Sequence, residues 1–154
     1  RRLYGPASLV LALVGDFDAD RVRDRILGLG EGWEGGQAEP PVVERLRAHA
    51  PSELSTSTIT LAEILYGIER TPGRRRERLA KLQQIMVLLA LHPFDASAAR
   101  QYAVVRAQLE SSGTAISERD TQIAAIALAR HLTLVTHNTR EFRRVDRLPV
   151  VDWA

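Results

Sequence analysis

The sequence predicts an α/β fold: a small, mostly parallel central sheet sandwiched between two layers of helices. Three observations carry it. Apolar, strand-like runs alternate with amphipathic, helix-like stretches, the order that builds a parallel sheet. The chain has 154 residues, 45% hydrophobic and 26% charged, the length and composition of an ordinary globular domain. It has no cysteine, so the fold rests on a buried core and not on disulfides. A chain of this size buries roughly 70% of its unfolded surface, which is enough.

The elements follow in order. Ser8–Val14 (SLVLALV) is a continuous apolar run, fit for a buried strand. Asp18 or Asp20 then caps a helix to about Leu29, with Val22, Ile26 and Leu29 on one face. Residues 30–41 (GEGWEGGQAEPP) are rich in Gly, Pro and Glu and read as a linker. That composition break divides the chain into an atypical strand–helix segment with its linker, 1–40, and a domain, 41–154. Pro40-Pro41 opens a helix over Val42–Ala50. Glu53–Ser57 is a short strand, and Thr60–Arg70 a helix with Leu61, Ile64, Leu65 and Ile68 on one stripe. Thr71-Pro72-Gly73 breaks it, and Arg74–Leu89 is a long helix, basic at its start and apolar at its end. Pro93 lies in a short extended stretch, and Ala96–Ser112 is an amphipathic helix ended by Gly113. Ser117–His131 is a helix, Leu132–Thr136 a strand, Thr139–Arg143 a short helix and Val150-Val151 an edge strand.

Several function classes drop out. Without cysteine there is no thiol nucleophile, iron–sulfur site or Cys-ligated zinc. No apolar run reaches the roughly 18 residues of a membrane span, so no membrane partner is expected and the cytoplasm is the expected location. The chain opens on Arg1-Arg2 and its one Met is Met86, which reads as a fragment or a processed chain. No cleavage site follows the apolar stretch, so Arg1-Arg2 is not a twin-arginine signal. Net charge is +2, with Lys81 the single lysine among 21 cations, an arginine bias that codon usage explains most simply. Residues 1–41 carry 5 cations against 7 anions, while 42–154 carry 16 against 12. The second part is therefore the one suited to a polyanion.

Three carboxylates stand out. Glu63 points off the apolar stripe of its helix and shares a face with Thr60 and Gly67, which leaves room for an approach. Taken alone it also reads as a solvated helix glutamate. Asp120 opens a helix that is apolar nearly all round over Ile123–Ala129, hence buried; Ser117-x-x-Asp120 equally reads as a capping box. Glu141 follows a strand and the turn His137-Asn138, and Asn138-x-x-Glu141 has the same cap spacing. Their convergence favours function, because sites in open α/β sheets form at the carboxyl ends of strands. A cluster of acids there repels itself unless it is protonated or neutralised by a divalent ion. Oxygen-only ligation suits magnesium or manganese, and the chemistry of such ions is in-line phosphodiester hydrolysis. The basic run Arg74-Arg75-Arg76-Glu77-Arg78 reads as a solvated helix face or as a hold on RNA phosphates or an acidic partner tail.

From about Pro41 to Trp153 the sequence resembles the VapC-type PIN-domain ribonucleases, toxins of toxin–antitoxin pairs. The matching blocks are Leu54–Gly67 (LSTSTITLAEILYG), Asp120–Ala125 (DTQIAA), Leu134–Phe142 (LVTHNTREF) and the closing Leu148–Trp153. The resemblance implies a PIN-like α/β/α sandwich and a magnesium-dependent endoribonuclease, with manganese able to substitute. It assigns Glu63, Asp120 and Glu141 as the second, third and fourth acidic metal residues and places Asn138 in the strand-end turn. Ser57 and Thr136 line the site, and Arg74 and Arg75 are candidates for holding RNA. Expected partners are RNA, a cognate antitoxin and a second copy of the chain, with helices 60–70 and 74–89 offering apolar surface. The alternative is an inactive PIN-like module that only dimerises or binds an antitoxin.

One departure is marked. The family's first strand ends in Asp-Thr-Asn or a close variant, its first metal ligand, and no such tripeptide occurs here. Tyr4–Gly35 instead resembles a piece of an insulinase/pitrilysin-type metallopeptidase. That family's H-x-x-E-H zinc motif is absent, and His49, His92, His131 and His137 lack ligand spacing, so no protease is implied. The join falls near residues 36–41. Asp16, just past the first strand run, is a candidate replacement, although 47 residues separate it from Glu63, more than the family's spacing; without it three carboxylates remain and the resemblance implies an impaired nuclease.

Overall fold

A computed structural model of the protein describes residues 9–11, 49, 51–70 and 72–153. The helices expected over Asp18–Leu29 and, apart from His49, over Val42–Ala50 lie outside those residues, as do Asp16, the linker and, apart from Leu9–Leu11, the segment Tyr4–Gly35 expected to resemble a metallopeptidase.

The described elements are β1 (Leu9–Leu11), β2 (Leu54–Ser57), α1 (Thr58–Glu69), α2 (Arg75–Met86), β3 (Ala90–His92), α3 (Ala96–Ser111), α4 (Glu118–Ala129), β4 (Thr133–Val135), α5 (Thr139–Phe142) and β5 (Val150–Val151). Single 3₁₀ turns, Pro51–Glu53 and Pro72–Arg74, precede β2 and α2. The sheet order is β3-β2-β1-β4-β5, and all four pairings are parallel. Leu9 registers with Leu54 on one side and Thr133 on the other. The apolar run near the N-terminus therefore supplies the central strand and closes the slot the sheet would otherwise leave.

The strand order reverses between β1 and β4. Right-handed crossovers then place α1 and α2 on one face and α3, α4 and α5 on the other. In open α/β sheets, sites form at the carboxyl ends of the strands where the order turns. Two chain segments leave β2 and β4 at that edge, and α4, which runs back into β4, begins there.

Local sequence explains the helix starts. Asp95 caps α3 by accepting from the Ser97 and Ala98 N–H groups, each at 3.0 Å. Ser57 caps α1, accepting from Thr60 N–H at 3.0 Å. Gly113 ends the α3 region with φ of 65°, a conformation open to glycine at no steric cost. The core lies between α3, α4, β4 and α5, built from Leu109, Ile123, Ala124, Leu134 and Phe142 among others. As its all-round apolar pattern predicts, α4 is buried from Ile123 to Ala127.

Two expectations change. Of the α1 stripe only Ile68 is buried; Leu61, Ile64 and Leu65 are half-covered. Helix α2 stops at Met86, and Ala90–His92 pairs with β2 as an edge strand. The apolar run Ile85–Leu91 suits either state by periodicity, and pairing with Ser55–Ser57 decides it.

Candidate metal centre

Asp120 sits in the first turn of α4, 5% exposed, at the carboxyl edge of the sheet. The capping box forms only by half. Ser117 Oγ accepts from Asp120 N–H at 3.1 Å, but the Asp120 carboxylate does not reach back to cap the backbone. It accepts instead from the Ser117 hydroxyl, at 2.8 Å to Oδ2. Ser117 thus fixes the carboxylate's position through one of its two oxygens.

Glu141 comes to the same place from β4. Its Oε2 accepts from the Asn138 side-chain amide at 3.1 Å. Asn138 makes no side-chain cap to α5, so the cap spacing at 138–141 serves the glutamate and not the helix. The turn is held from beneath by Thr136, whose Oγ1 accepts from Asn138 N–H at 3.1 Å. The Asp120 and Glu141 carboxyls stand within hydrogen-bonding reach of each other, and Glu63 adds its charge from α1. Burial first, and these two acids after it, push the Asp120 carboxyl up from its ordinary value, against the lowering effect of the Ser117 hydrogen bond. A cation held between these acids would offset the charge that burial and its neighbours make costly on Asp120.

Glu63 is turned elsewhere. Nη1 of Arg119 lies 2.9 Å from one of its carboxylate oxygens and 3.0 Å from the other. Among the described residues no three His, Asp or Glu side chains close on one point as a metal cage would require. The structure therefore brings Asp120 and Glu141 together and holds Glu63 beside them on Arg119. Arg119 is the residue that local sequence patterns missed. Its signal was a cation in the first turn of a helix, where the dipole disfavours one, next to an acid.

The remaining candidates fall into two groups. Ser57 is 0% exposed and Thr136 3%, so neither presents a surface for substrate. Both shape the edge: Ser57 through Thr60, whose Oγ1 lies 2.9 Å from its Oγ, and Thr136 through Asn138. Arg74 and Arg75 lie past the far end of α1. Glu69, to which Arg75 Nε donates at 2.9 and 3.0 Å, is six residues beyond Glu63, about 9 Å along the helix axis. They flank the acids at a distance and do not join them. A Cβ at Gly67 would meet nothing within 4 Å, so the α1 face beyond Glu63 is open among the described residues.

Residues 33–148 match a family model described as the PIN domain. The chain is 35% identical over 102 residues to the tRNA(fMet)-specific endonuclease VapC of Shigella flexneri, covering 66% of this chain and 76% of that protein. Ribonuclease VapC2 of Rickettsia felis is 33% identical over 100 residues, covering 65% and 74%. Among solved structures, DNA-bound VapBC from Salmonella typhimurium superposes with a TM-score of 0.73 at 29% identity, over 95% of this chain and 99% of that one.

Proposed function

This chain belongs to the PIN-domain family of VapC ribonucleases, and from that premise we propose how its edge of acids cleaves RNA. The residues fit a hard divalent cation, magnesium or manganese. The donors are oxygens only, and a buried Asp120 in contact with Glu141 calls for positive charge. Asp120 and Glu141 would hold the cation, with Glu63 completing the set on release from Arg119. When bound, such an ion lowers the pKa of a water and steadies the leaving oxygen in phosphodiester hydrolysis. Ser117 orients Asp120, and Asn138, itself set by Thr136, orients Glu141. Asp16, five residues past β1 in the chain, is the proposed source of a further carboxylate. On this reading the metallopeptidase-like segment replaces the family's own first strand.

The proposed partners follow from the relatives. The solved VapBC complex is bound to DNA, and an antitoxin is the corresponding partner proposed here. A second copy or that antitoxin would cover the exposed Val87, Leu88 and Leu91 at the end of α2 and on β3. Arg74 and Arg75 remain proposed contacts for the RNA backbone outside the cleavage site.

The observation that carries the reading is the raised, buried Asp120 beside Glu141. Incubating the purified chain with a mixed RNA pool in magnesium, in manganese and in chelator, beside Asp120→Asn, tests it. Metal-dependent cutting that the variant lacks is the expected result. Cutting that survives excess chelator contradicts the mechanism. A folded chain that cuts nothing favours the binding-module alternative, for which the turning of Glu63 to Arg119 is the structural argument.

A further inference from the structure

Arg119 and Asp120 are chain neighbours in the first turn of α4, yet they face different acids. Asp120 meets Glu141, while the Arg119 guanidinium crosses to Glu63 on α1. The crossing joins residues 56 apart in sequence. Arg119 is 63% exposed and Glu63 33%, so water reaches the pair, beside the acids at the carboxyl edge of the sheet. Exposed pairs of this kind hold weakly and open readily. While the pair is closed, the Glu63 charge is offset by Arg119, and the acids fail to converge on one point. When it opens, a planar guanidinium is set free at the same edge, with the fork of donors that suits a phosphate.

We propose that Arg119 exchanges partners: it holds Glu63 in the cation-free chain and turns to a phosphate oxygen of bound RNA when Glu63 turns to a divalent cation. Arg119 is then a substrate-binding residue that also sets how tightly the acids take the cation. The inference rests on the metal-dependent ribonuclease reading, and its test separates the two. Manganese binding to the full chain, without RNA, is measured by titration calorimetry for the wild type, Arg119→Gln, Glu63→Gln and the double variant. Arg119→Gln binds manganese two- to five-fold more tightly, the factor expected for removing a weak exposed pair. Glu63→Gln binds more weakly, and adding Arg119→Gln to it changes nothing further. In RNA cleavage, Arg119→Gln raises KM about five- to ten-fold and Arg119→Lys recovers most of it, as a phosphate contact requires. A wild-type chain that binds no manganese overturns the metal reading itself. A wild type that binds manganese, with Arg119→Gln equal to it or still tighter in the Glu63→Gln background, overturns the partner exchange alone. An unchanged KM overturns the phosphate contact.

Discussion

Asp95 and Asp120 both stand at the start of a helix, and the molecule treats them in opposite ways. Asp95 caps α3, accepts two backbone N–H groups, and receives Arg130 Nη2 at 2.7 Å. The Ala98 N–H first, and Arg130 with it, hold its carboxyl below the ordinary value. Asp120 lies inside α4's first turn, is buried, and faces Glu141 and Glu63, and its carboxyl is pushed up. One is a carboxylate whose surroundings want its charge. The other is kept by a fold that is strained by its charge. A helix start is therefore no guide to role; what matters is whether the charge is answered by the protein or left for something else to answer.

The largest expected contrast is in cleavage. Asp120→Asn lowers RNA cleavage by ~100-fold or more, because the carboxylate proposed to hold the metal is lost. Asp95→Asn changes it by no more than about two- to three-fold, since Asp95 caps α3 and pairs with Arg130 at the end of α4 opposite Asp120. Comparable losses in both variants would break the comparison. Next comes the support of Glu141. Asn138→Ala removes the amide that orients it and weakens manganese affinity about ten-fold, read by calorimetry. Unchanged affinity would show that Glu141 needs no such hold.

The smallest effect, and the sharpest in sign, is in stability without metal. A group whose folded pKa is raised binds its proton more tightly when folded. Ionised Asp120 therefore costs stability at neutral pH, and that cost is relieved as pH falls through its raised folded value toward the unfolded one. Asp95 has the reverse sign: its stabilisation is present above its unfolded pKa and is lost as pH falls through the lowered folded one. Thermal unfolding across pH 3 to 8 with chelator present checks both. At neutral pH Asp120→Asn raises Tm and Asp95→Asn lowers it, and the Asp120→Asn gain shrinks toward acid pH.

Much of this was legible along the chain. The runs at Leu54–Ser57, Thr133–Val135 and Ile123–Ala127 announced strands and a buried helix because their signals are local. Ser117 and Asn138 were visible as partners of Asp120 and Glu141 three residues on. Their use was not: the same spacing serves a cap or a site, and only the hydrogen bonds actually made separate the two. The Arg119–Glu63 pair was hidden because it joins α4 to α1, and no periodicity reports a contact between helices. The edge strand Ala90–His92 was hidden for a related reason, since its state is decided by its neighbour β2.

The central claim is that this edge of the sheet carries acids in want of a cation. Its most direct test is the thermal midpoint at neutral pH, with chelator and then with millimolar manganese, for the wild type and Asp120→Asn. Binding to the folded state alone raises Tm by mass action. The account predicts a clear manganese-dependent rise for the wild type and little or none for Asp120→Asn, which starts from the higher metal-free value. Equal rises in both chains, or none in the wild type, would contradict it.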